Sequence, residues 1–417
     1  MATGDGKHVV IVGGGSAGIT VAASLTRRAK ARVVDITLIE PSEVHYYQPA
    51  FTLVGAGAYQ FDKTRRRTES LIPPGVEWVR DRVVAFEPDK NSVRLNSGSA
   101  MSYDYLVVCP GLELNWDKIQ GAKEALGKNG VCSNYSPQHA EYTWSCIQNL
   151  KAGATALFTQ APLPFKCPGA PQKIAYLAAH HLQRKGILKD CPLHFLTHGT
   201  AMFAVPLFSK ELTKVAARYG IHVHFQHNLS AVNWERRTAT FEVVGGEKQG
   251  QKIDMPFDML HMTPPQSAPQ AVKSSPLANA GGWIDVNQNS MQHVKYKNVF
   301  GLGDAGSTPN SKTAAAVRKQ APVVVRNLMT LISGGSLDEG YDGYASCPLT
   351  TAYGKVIMAE FCYGGKVTPT FPLDPRRERW LNWWIKVTGL PIFYWSYMLK
   401  GYEAFFPHDT NYVEPVS

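Results

Sequence analysis

The sequence lacks the features that mark several classes of protein. None of its apolar runs reaches about 18 residues, so no segment is predicted to cross a membrane. No zinc-finger spacing and no long block of lysine and arginine occurs among the 417 residues, which argues against nucleic acid as a partner. The first apolar run begins almost at Met1, and no signal-peptide pattern precedes it. We therefore expect a folded protein without a spanning segment.

The number and spacing of the cysteines argue against two further classes of protein. The seven cysteines are odd in number, widely spaced and never arranged as C-x-x-C; they stand at positions 109, 132, 146, 167, 191, 347 and 362. This pattern argues against a secreted disulfide framework and against zinc, so we expect no metal site. Most of these thiols are expected to be buried.

Acidic residues are outnumbered by basic ones, 33 against 43, which leaves a formal net charge of +10 and a pI of about 9.1. With nucleic acid disfavoured, this excess suits an anionic membrane surface or an anionic substrate. The apolar fraction of 44% is ordinary for a folded protein, and the length allows two or three domains with full cores.

An apolar run followed at once by glycines stands near the start of the chain. The run, Val9–Val12, is typical of a buried parallel strand. Gly13, Gly15 and Gly18 follow as G-x-G-x-x-G and lead into a helical pattern that we place from Ile19. In such a turn the first glycine permits the bend, the second lets the backbone approach a pyrophosphate, and the third lets helix and strand pack closely. The pattern predicts a dinucleotide site at the start of this helix.

The next predicted strand supports the same site. It covers Val33–Ile39 and ends on Glu40, about 20 residues after Gly18, where an acid can bond a ribose hydroxyl. Strand, glycine turn, helix, strand and acid therefore occur in the order that a dinucleotide-binding unit requires.

Two later pieces extend this unit. Asn298–Asp304 predicts a short strand ending at Gly303 and Asp304, and Ser311–Val325 predicts a helix whose small residues can lie close to a flat ligand. An aspartate at such a strand end can bond a ribityl hydroxyl, and a helix N-terminus can lie at an electron-rich ring edge. In this order the pieces resemble the flavoproteins with two dinucleotide-binding domains.

That resemblance implies FAD as the cofactor and an α/β fold of two tandem Rossmann-like domains with a C-terminal amphipathic membrane-binding region. It implies an FAD-binding domain formed by 1–115 and 276–335, a second Rossmann-like domain over 116–275, and a redox-cysteine, membrane and quinone region over 336–417. It also implies a set of cofactor-binding residues: Gly13, Gly15, Ser16, Ala17, Gly18, Glu40, Gln48, Val83, Gly111, Gly303, Asp304, Lys312 and Thr313.

The second glycine turn, which would bind a nicotinamide dinucleotide, is missing. The equivalent stretch, 154–173, keeps an apolar strand at Ala156–Phe158 but continues with three prolines and Cys167. Proline lacks the N–H group that would hold a pyrophosphate, so we expect no nicotinamide site here. Electrons must then enter by another route.

Four stretches narrow the resemblance to one family. PFKCPGAPQK around Cys167, TPP at 263–265, GLGD followed by SKTAAAV, and DGYASCPL around Cys347 are similar to sulfide:quinone oxidoreductases, especially the type found in mitochondria and some bacteria. The matching stretches run in the same order from Val9 to about Phe405. We predict both Cys-Pro sequences to lie in loops.

The family resemblance implies that Cys167 and Cys347 are the catalytic pair. Hydrosulfide attacks a bridge between them, Cys167 is the sulfur on the flavin side, and Cys347 holds the persulfide for transfer. A dithiol–disulfide pair suits this reaction because thiolates exchange through mixed disulfides. Lys312, Lys166 and Lys173 are candidates for holding sulfur anions nearby and for lowering the thiol pKa values.

An aromatic and basic segment, 375–406, is the candidate membrane contact. It holds four of the nine tryptophans, and we place Trp380, Trp383, Trp384 and Val387 on one helical stripe and expect Pro391 to divide the segment into two helices. Such a composition suits the headgroup boundary of a bilayer, where helices lie in the plane.

The same segment provides a way in for a lipid-soluble quinone, ubiquinone or another. The candidate quinone residues are Phe361, Phe393 and Tyr394, with Glu360 as a candidate proton acceptor. The expected location is peripheral on the bacterial cytoplasmic or mitochondrial inner membrane.

Several alternatives stay open on the sequence alone. A type II NADH:quinone oxidoreductase, a flavocytochrome-type sulfide dehydrogenase and a non-enzymatic flavin redox-signalling protein share parts of the pattern. The sulfur acceptor is undetermined, with glutathione, sulfite, cyanide and polysulfide as candidates. The oligomeric state, with a homo-oligomer as one candidate, and a covalent link to FAD are also undetermined. The role of Cys132 is open between a vestige of a third redox cysteine, a redox participant and a core thiol.

Overall fold

The computed structural model describes residues 6–29, 34–337, 340–403 and 412. Met1 lies outside these ranges, and so does Val33, the first residue of the strand predicted over Val33–Ile39. So do Phe405 and residue 406, at the end of the predicted membrane segment. Two five-stranded parallel sheets form the framework, and each arises from buried apolar runs of the kind that such sheets require.

The first sheet has the order β20-β9-β1-β2-β5. Its strands are β1 (Lys7–Val12), β2 (Val34–Ile39), β5 (Val76–Val79), β9 (Tyr105–Val108) and β20 (Val299–Gly301). Strand β20 comes from far along the chain and pairs with β9, Val299 opposite Leu106. Because the carboxyl ends of parallel strands meet at one edge, this pairing places the loop at Asp304 beside the glycine turn after β1.

The second sheet has the order β11-β18-β12-β13-β14. Its strands are β11 (Val131–Cys132), β12 (Ala156–Gln160), β13 (Leu193–Thr197), β14 (His222–Phe225) and β18 (Met259–His261). The predicted apolar strand at 156–158 is therefore part of a parallel sheet, although the loop that follows it carries no glycine turn.

Shorter antiparallel pairs surround the two sheets. They are β3 (Val44–Tyr46) with β4 (Arg65–Arg67); β6 (Val83–Glu87), β7 (Ser92–Leu95) and β8 (Ala100–Ser102); β10 (Glu113–Leu114) with β19 (Gln266–Ser267); β15 (His227–Asn233), β16 (Thr238–Val243) and β17 (Lys252–Pro256); and β21 (Ala345–Ala352) with β22 (Lys355–Phe361). Strands β7 and β8 form an antiparallel hairpin, with Ser92 opposite Ser102.

Ten α-helices are described. They are α1 (Ser16–Arg28), α2 (Phe51–Val54), α3 (Ala122–Ala125), α4 (Ala140–Asn149), α5 (Ala170–Arg184), α6 (Pro206–Arg218), α7 (Gln270–Lys273), α8 (Ala314–Ile332), α9 (Trp380–Trp384) and α10 (Leu390–Ser396). None of the helices in the described ranges is long and apolar enough to cross a bilayer.

The starts of two helices differ from the predictions. Helix α1 begins at Ser16, one turn before Ile19, directly on the glycine turn. Helix α8 begins at Ala314 because the Thr313 hydroxyl caps it by accepting the Ala316 N–H at 3.1 Å.

Pro391 does not divide the C-terminal segment. It lies in the first turn of α10, directly after a π-helical turn. A π-helical turn over Ile385–Gly389 joins α9 to α10 instead, so the segment is continuously helical from Trp380 to Ser396. The change of pitch redirects the side chains on either side of the turn.

The glycine turn is packed too tightly for side chains at two of its positions. Gly13 has φ +103°, and a Cβ there would lie 2.5 Å from the Cys109 carbonyl oxygen. A Cβ on Gly18 would overlap the Gly13 carbonyl oxygen, whereas a Cβ on Gly15 would meet nothing within 4 Å. Gly15 therefore faces open space.

We expect Gly18→Ala to lower the melting temperature of the apoprotein by several degrees, because the overlap with Gly13 costs roughly 1–3 kcal/mol. Gly15→Ala is the matched control and should leave the melting temperature almost unchanged. Differential scanning calorimetry of both variants tests the difference. Equal melting temperatures would contradict this account of the turn.

Candidate functional site

A cavity of about 690 Å³ lies at the carboxyl edge of the first sheet. Its wall combines the loops after β1, β2, β9 and β20, the starts of α5 and α8, the β21–β22 pair and the C-terminal helical segment. Segments that are far apart in sequence thus meet around one space.

Most of the predicted cofactor residues lie on this wall: Gly15, Ser16, Ala17, Glu40, Gln48, Gly111, Gly303, Asp304, Lys312 and Thr313. Gly13 and Gly18 are not on the wall but shape the turn from behind. Val83 lies in β6 and packs in the core with Val10 and Ile39, so its contact with a cofactor stays a prediction.

The wall offers the chemistry that a flavin dinucleotide needs. Gly15 leaves the backbone open at the start of α1, where a pyrophosphate would meet N–H groups and the positive end of the helix. The start of α8 presents Thr313, Ala314 and Ala315, which leave room for a flat ring system. Burial raises the pKa of the Asp304 carboxyl, which lies in the same wall. These features fit FAD.

Glu40 also braces the turn. One carboxylate oxygen accepts the Gly14 N–H at 2.7 Å and the other accepts the Ser42 N–H at 2.7 Å. A ribose hydroxyl at Glu40 would therefore share oxygens that already hold backbone donors.

The C-terminal helix is bonded to the phosphate turn. The Tyr394 hydroxyl lies 2.7 Å from the Ser16 hydroxyl and 2.6 Å from the His45 Nε2, and the His45 Nδ1 lies 3.1 Å from the Gly14 carbonyl oxygen. Burial lowers the pKa of His45 to about 4, so this imidazole is neutral at pH 7. Tyr394 thus lies at the dinucleotide end of the cavity, and its assignment to a quinone stays a prediction.

Cys167 lies on the cavity wall just before α5. Its φ is +51°, which is uncommon for a residue with a side chain, and its N–H donates to the Lys312 carbonyl at 2.9 Å. All seven cysteines lie in the described ranges, and Cys167 is the one that is not buried. The helix start behind it favours negative charge on the sulfur.

Cys347 is in side-chain hydrogen-bonding contact with Cys167. The prediction that Cys347 lies in a loop is wrong, because it lies in β21 opposite Ala359 of β22. Successive side chains of a strand point to opposite faces, so Ser346 and Pro348 reach the cavity while Cys347 is fully buried against α5. The sequence-based pairing of the two cysteines is matched by their contact.

The two thiols differ in acidity. The hydrogen bond from Cys347 holds the pKa of Cys167 well below its usual range, and the Lys173 ammonium, 3.0 Å from the Cys167 sulfur, adds to this. The same bond, together with burial, raises the pKa of Cys347 well above its usual range. Within the pair, negative charge is therefore favoured on Cys167 and the proton on Cys347.

A further lysine near the pair was missed by the sequence reasoning. Lys386, in the π-helical turn, is buried, donates to the Pro49 carbonyl at 3.1 Å and interacts electrostatically with both cysteines. Burial lowers the pKa of Lys386 to about 7, and the charge of Lys173 acts in the same direction. No local sequence pattern marks this lysine, because its burial follows from tertiary packing.

The other predicted lysines lie on the wall but have different partners. Lys166 donates to the Gln48 side chain at 2.6 Å, and burial lowers its pKa. Lys312 donates to the Gly306 carbonyl at 3.0 Å, and burial lowers its pKa to about 8.

Apolar side chains also line the cavity. Met358, Phe371 and Phe393 line it beside Glu360, whose carboxylate accepts the Tyr344 hydroxyl at 2.5 Å and the Thr370 N–H at 3.0 Å. Phe361 does not reach the wall and packs edge-on against Phe203. In the described ranges, no group of three or more histidine, cysteine or acidic residues is arranged to hold a metal.

Comparison with known proteins agrees with this geometry. Residues 7–141 match the family described as pyridine nucleotide-disulphide oxidoreductase. The two parallel sheets and the cavity at the carboxyl edge of the first sheet therefore belong to a mixed α/β oxidoreductase of that class.

The relatives narrow the class. The chain is 44% identical to the mitochondrial sulfide:quinone oxidoreductase of Dictyostelium discoideum over 94% of this chain and 86% of that one, and 41% identical to the mouse protein of the same name over 95% and 87%. The structure of the Aquifex aeolicus sulfide:quinone oxidoreductase superposes with a TM-score of 0.78 at 22% identity, covering 95% of this chain and 92% of that one. The chain belongs to the sulfide:quinone oxidoreductase family.

Membership confirms the family resemblance and the prediction of an FAD-dependent oxidoreductase with a quinone acceptor. The residues assigned to each role stay predictions, although most of them lie on one wall.

Replacing Lys173 by methionine should raise the pKa of Cys167, because the cation 3.0 Å from the sulfur favours the thiolate. A shift of one pKa unit lowers the thiolate fraction of Cys167 roughly tenfold at any pH below its pKa, so alkylation by iodoacetamide should slow by about that factor on the acidic side of its pH profile, and the midpoint of that profile should move to higher pH. Mass spectrometry of the Cys167 peptide gives the rate at each pH.

The matched control is Lys210→Met, on the exposed side of α6, which should leave the rate unchanged. An unaltered pH profile in the Lys173 variant would show that the lysine does not hold the thiolate.

Proposed function

We propose that this protein oxidises hydrogen sulfide through the Cys167–Cys347 pair and passes the electrons by way of FAD to a quinone. The contact between the two sulfurs, in the wall of a cavity that fits the dinucleotide, carries the proposal. A lysine 3.0 Å from one sulfur gives that pair the polarity that the reaction requires.

In the reacting state the pair is a disulfide. Hydrosulfide attacks one sulfur, the S–S bond breaks, and a persulfide forms on one cysteine while the other leaves as a thiolate. Cys167 is the better leaving group because its thiolate is stabilised by Cys347 and Lys173. Attack therefore falls on Cys347, which keeps the added sulfur, and Cys167 faces the cavity as the anion.

Bound FAD supplies a two-electron acceptor in the cavity. The chain holds the Cys167 anion at the wall of that cavity through Lys173 and the start of α5. Water access to the pair is limited because Cys347 is fully buried. Transfer of the persulfide sulfur from Cys347 to glutathione, sulfite or a polysulfide leaves Cys347 and Cys167 as a reduced dithiol. Loss of two electrons from this dithiol, for which bound FAD would be the acceptor, re-forms the S–S bond for the next cycle.

The apolar part of the cavity suits the quinone ring. Phe393 and Phe371 provide apolar contacts, and Glu360 provides a carboxylate next to the Tyr344 hydroxyl that can hold a proton for the reduced quinone. Phe361 would contribute indirectly, since it packs against Phe203 and does not line the cavity.

A membrane surface is proposed as the place where the quinone enters. Large apolar side chains stand exposed along the C-terminal helices: Trp380 is 67% exposed, Ile392 55%, Tyr397 52% and Trp384 46%. Trp383 instead packs against Tyr353, so the predicted stripe is split between an outer and an inner face. Exposed tryptophans beside cations suit the headgroup boundary of a bilayer.

The proposal includes peripheral attachment to the bacterial cytoplasmic or mitochondrial inner membrane, with residues 336–417 carrying the attachment. It keeps the division of the chain into 1–115 with 276–335 for FAD and 116–275 for the second unit. A homo-oligomer stays a candidate.

Cys347→Ser should abolish the anaerobic bleaching of the flavin by sulfide, because no disulfide can form to accept the hydrosulfide. Cys191→Ser is the matched control: that thiol is buried and donates to the Lys151 carbonyl, a bond that serine can also make. Absorbance of the flavin is followed after adding sulfide and then a short-chain quinone. Full bleaching in the Cys347 variant would refute the mechanism, and bleaching of the wild type by NADH would favour the type II NADH:quinone oxidoreductase alternative.

Replacing both Trp380 and Trp384 by serine should weaken binding to anionic vesicles by roughly tenfold or more, because each ring buries a large apolar area in the boundary. Phe225→Ser, on the edge strand β14, removes an exposed aromatic ring elsewhere and is the control. Co-sedimentation with vesicles measures the binding. Equal binding of all three proteins would contradict the proposed attachment.

A further inference from the structure

A second pair of thiols lies outside the cavity wall. Cys132 at the end of β11 and Cys146 in α4 are in side-chain hydrogen-bonding contact. Cys132 has no exposed surface, whereas 8% of Cys146 is exposed. Neither residue lines the cavity, and the sulfide mechanism uses neither.

A neighbouring hydroxyl group polarises this pair. The Tyr142 side chain bonds to Cys146, whereas the Thr143 hydroxyl donates to the His139 carbonyl at 3.3 Å. The bond from Cys132, with that from Tyr142, lowers the pKa of Cys146, while burial raises the pKa of Cys132. Negative charge is therefore favoured on Cys146, which is the residue of the pair that keeps some exposed surface.

The pair joins two elements that meet the cavity wall. Two residues after Cys132, the Asn134 side chain donates to the Thr52 hydroxyl at 3.1 Å, and both of these residues line the cavity. Helix α4 packs against α2, where a Cβ on Gly55 would lie 3.2 Å from the Thr143 side chain. A bond between Cys132 and Cys146 would tie β11 to α4 behind this part of the wall.

We propose that Cys132 and Cys146 are an oxidisable dithiol, a modification site for small compounds that contain a sulfur–sulfur bond. The Cys146 thiolate attacks one sulfur of the compound, breaks its S–S bond and releases the other sulfur as a thiolate. Cys132 then attacks the Cys146 sulfur of the mixed disulfide, loses its proton to water and releases the second thiolate.

In the net reaction the protein gains one disulfide and the compound is reduced by two electrons to two thiols. No further oxidant is needed. The inference does not depend on sulfide oxidation, because it requires only this thiol pair and the added compound.

The chemistry is shared by organic disulfides and by inorganic polysulfide, so the experiment has two arms. The FAD-loaded protein is incubated with glutathione disulfide or with polysulfide, then unfolded in iodoacetamide and digested with trypsin. Lys128 and Lys151 bound one tryptic peptide, residues 129–151, that contains both cysteines.

We expect this peptide to lose the mass of two hydrogen atoms and to take up no alkyl group, whereas Cys191 is fully alkylated in the same sample. In Cys146→Ser the change should disappear and Cys132 should be alkylated. Closing the loop should also raise the melting temperature of the treated wild type by about 5 °C, and not that of the variant.

Closure in both arms supports the general class, and closure in one arm identifies the source of the sulfur–sulfur bond. Two alkylated cysteines in both arms, or a mixed disulfide on Cys146 that never closes, would overturn the proposal.

Discussion

The contact between Cys167 and Cys347 is the interaction on which the rest of the site depends. A thiolate in a largely buried wall is unfavourable unless donors and cations compensate for lost hydration. Here they come from three separate parts of the chain: the thiol of Cys347 in β21, Lys173 in α5 and Lys386 in the C-terminal segment. The fold must therefore bring β21, α5 and the C-terminal helical segment together around the Cys167 sulfur.

The helix start that follows β12 of the second sheet lies beside a cysteine in this chain. In a nicotinamide enzyme, the turn after this strand and the following helix would bind a pyrophosphate. In this chain the turn presents Cys167, and the positive end of α5 lies behind a sulfur anion instead. The bond from the Cys167 N–H to the Lys312 carbonyl ties this turn to the loop before α8. The positive end of a helix, which binds phosphate in nicotinamide enzymes, here favours negative charge on the Cys167 sulfur.

The C-terminal helical segment combines three contacts that are usually separate. Tyr394 bonds to Ser16 at the phosphate turn, Lys386 lies buried near the cysteines, and Trp380 and Trp384 face outward. The π-helical turn makes this possible because it shifts the faces of the helix on either side of it. Anything that moves this segment should affect the dinucleotide and the sulfur pair together.

Features that depend on a few consecutive residues could be predicted from the amino-acid sequence alone. The glycine turn, the strand ending at Asp304 and the missing second turn were readable because each depends on neighbouring residues, and family motifs singled out Cys167 and Cys347. The groups that surround those two sulfurs depend on tertiary packing and became known from the structure. Lys386, the Tyr394–Ser16 bond and the Cys132–Cys146 pair join residues whose proximity follows from packing, and no local pattern encodes it. The start of α8 was likewise set by the Thr313 cap, and the course of the helix around Pro391 by the π-helical turn, neither of which periodicity reveals.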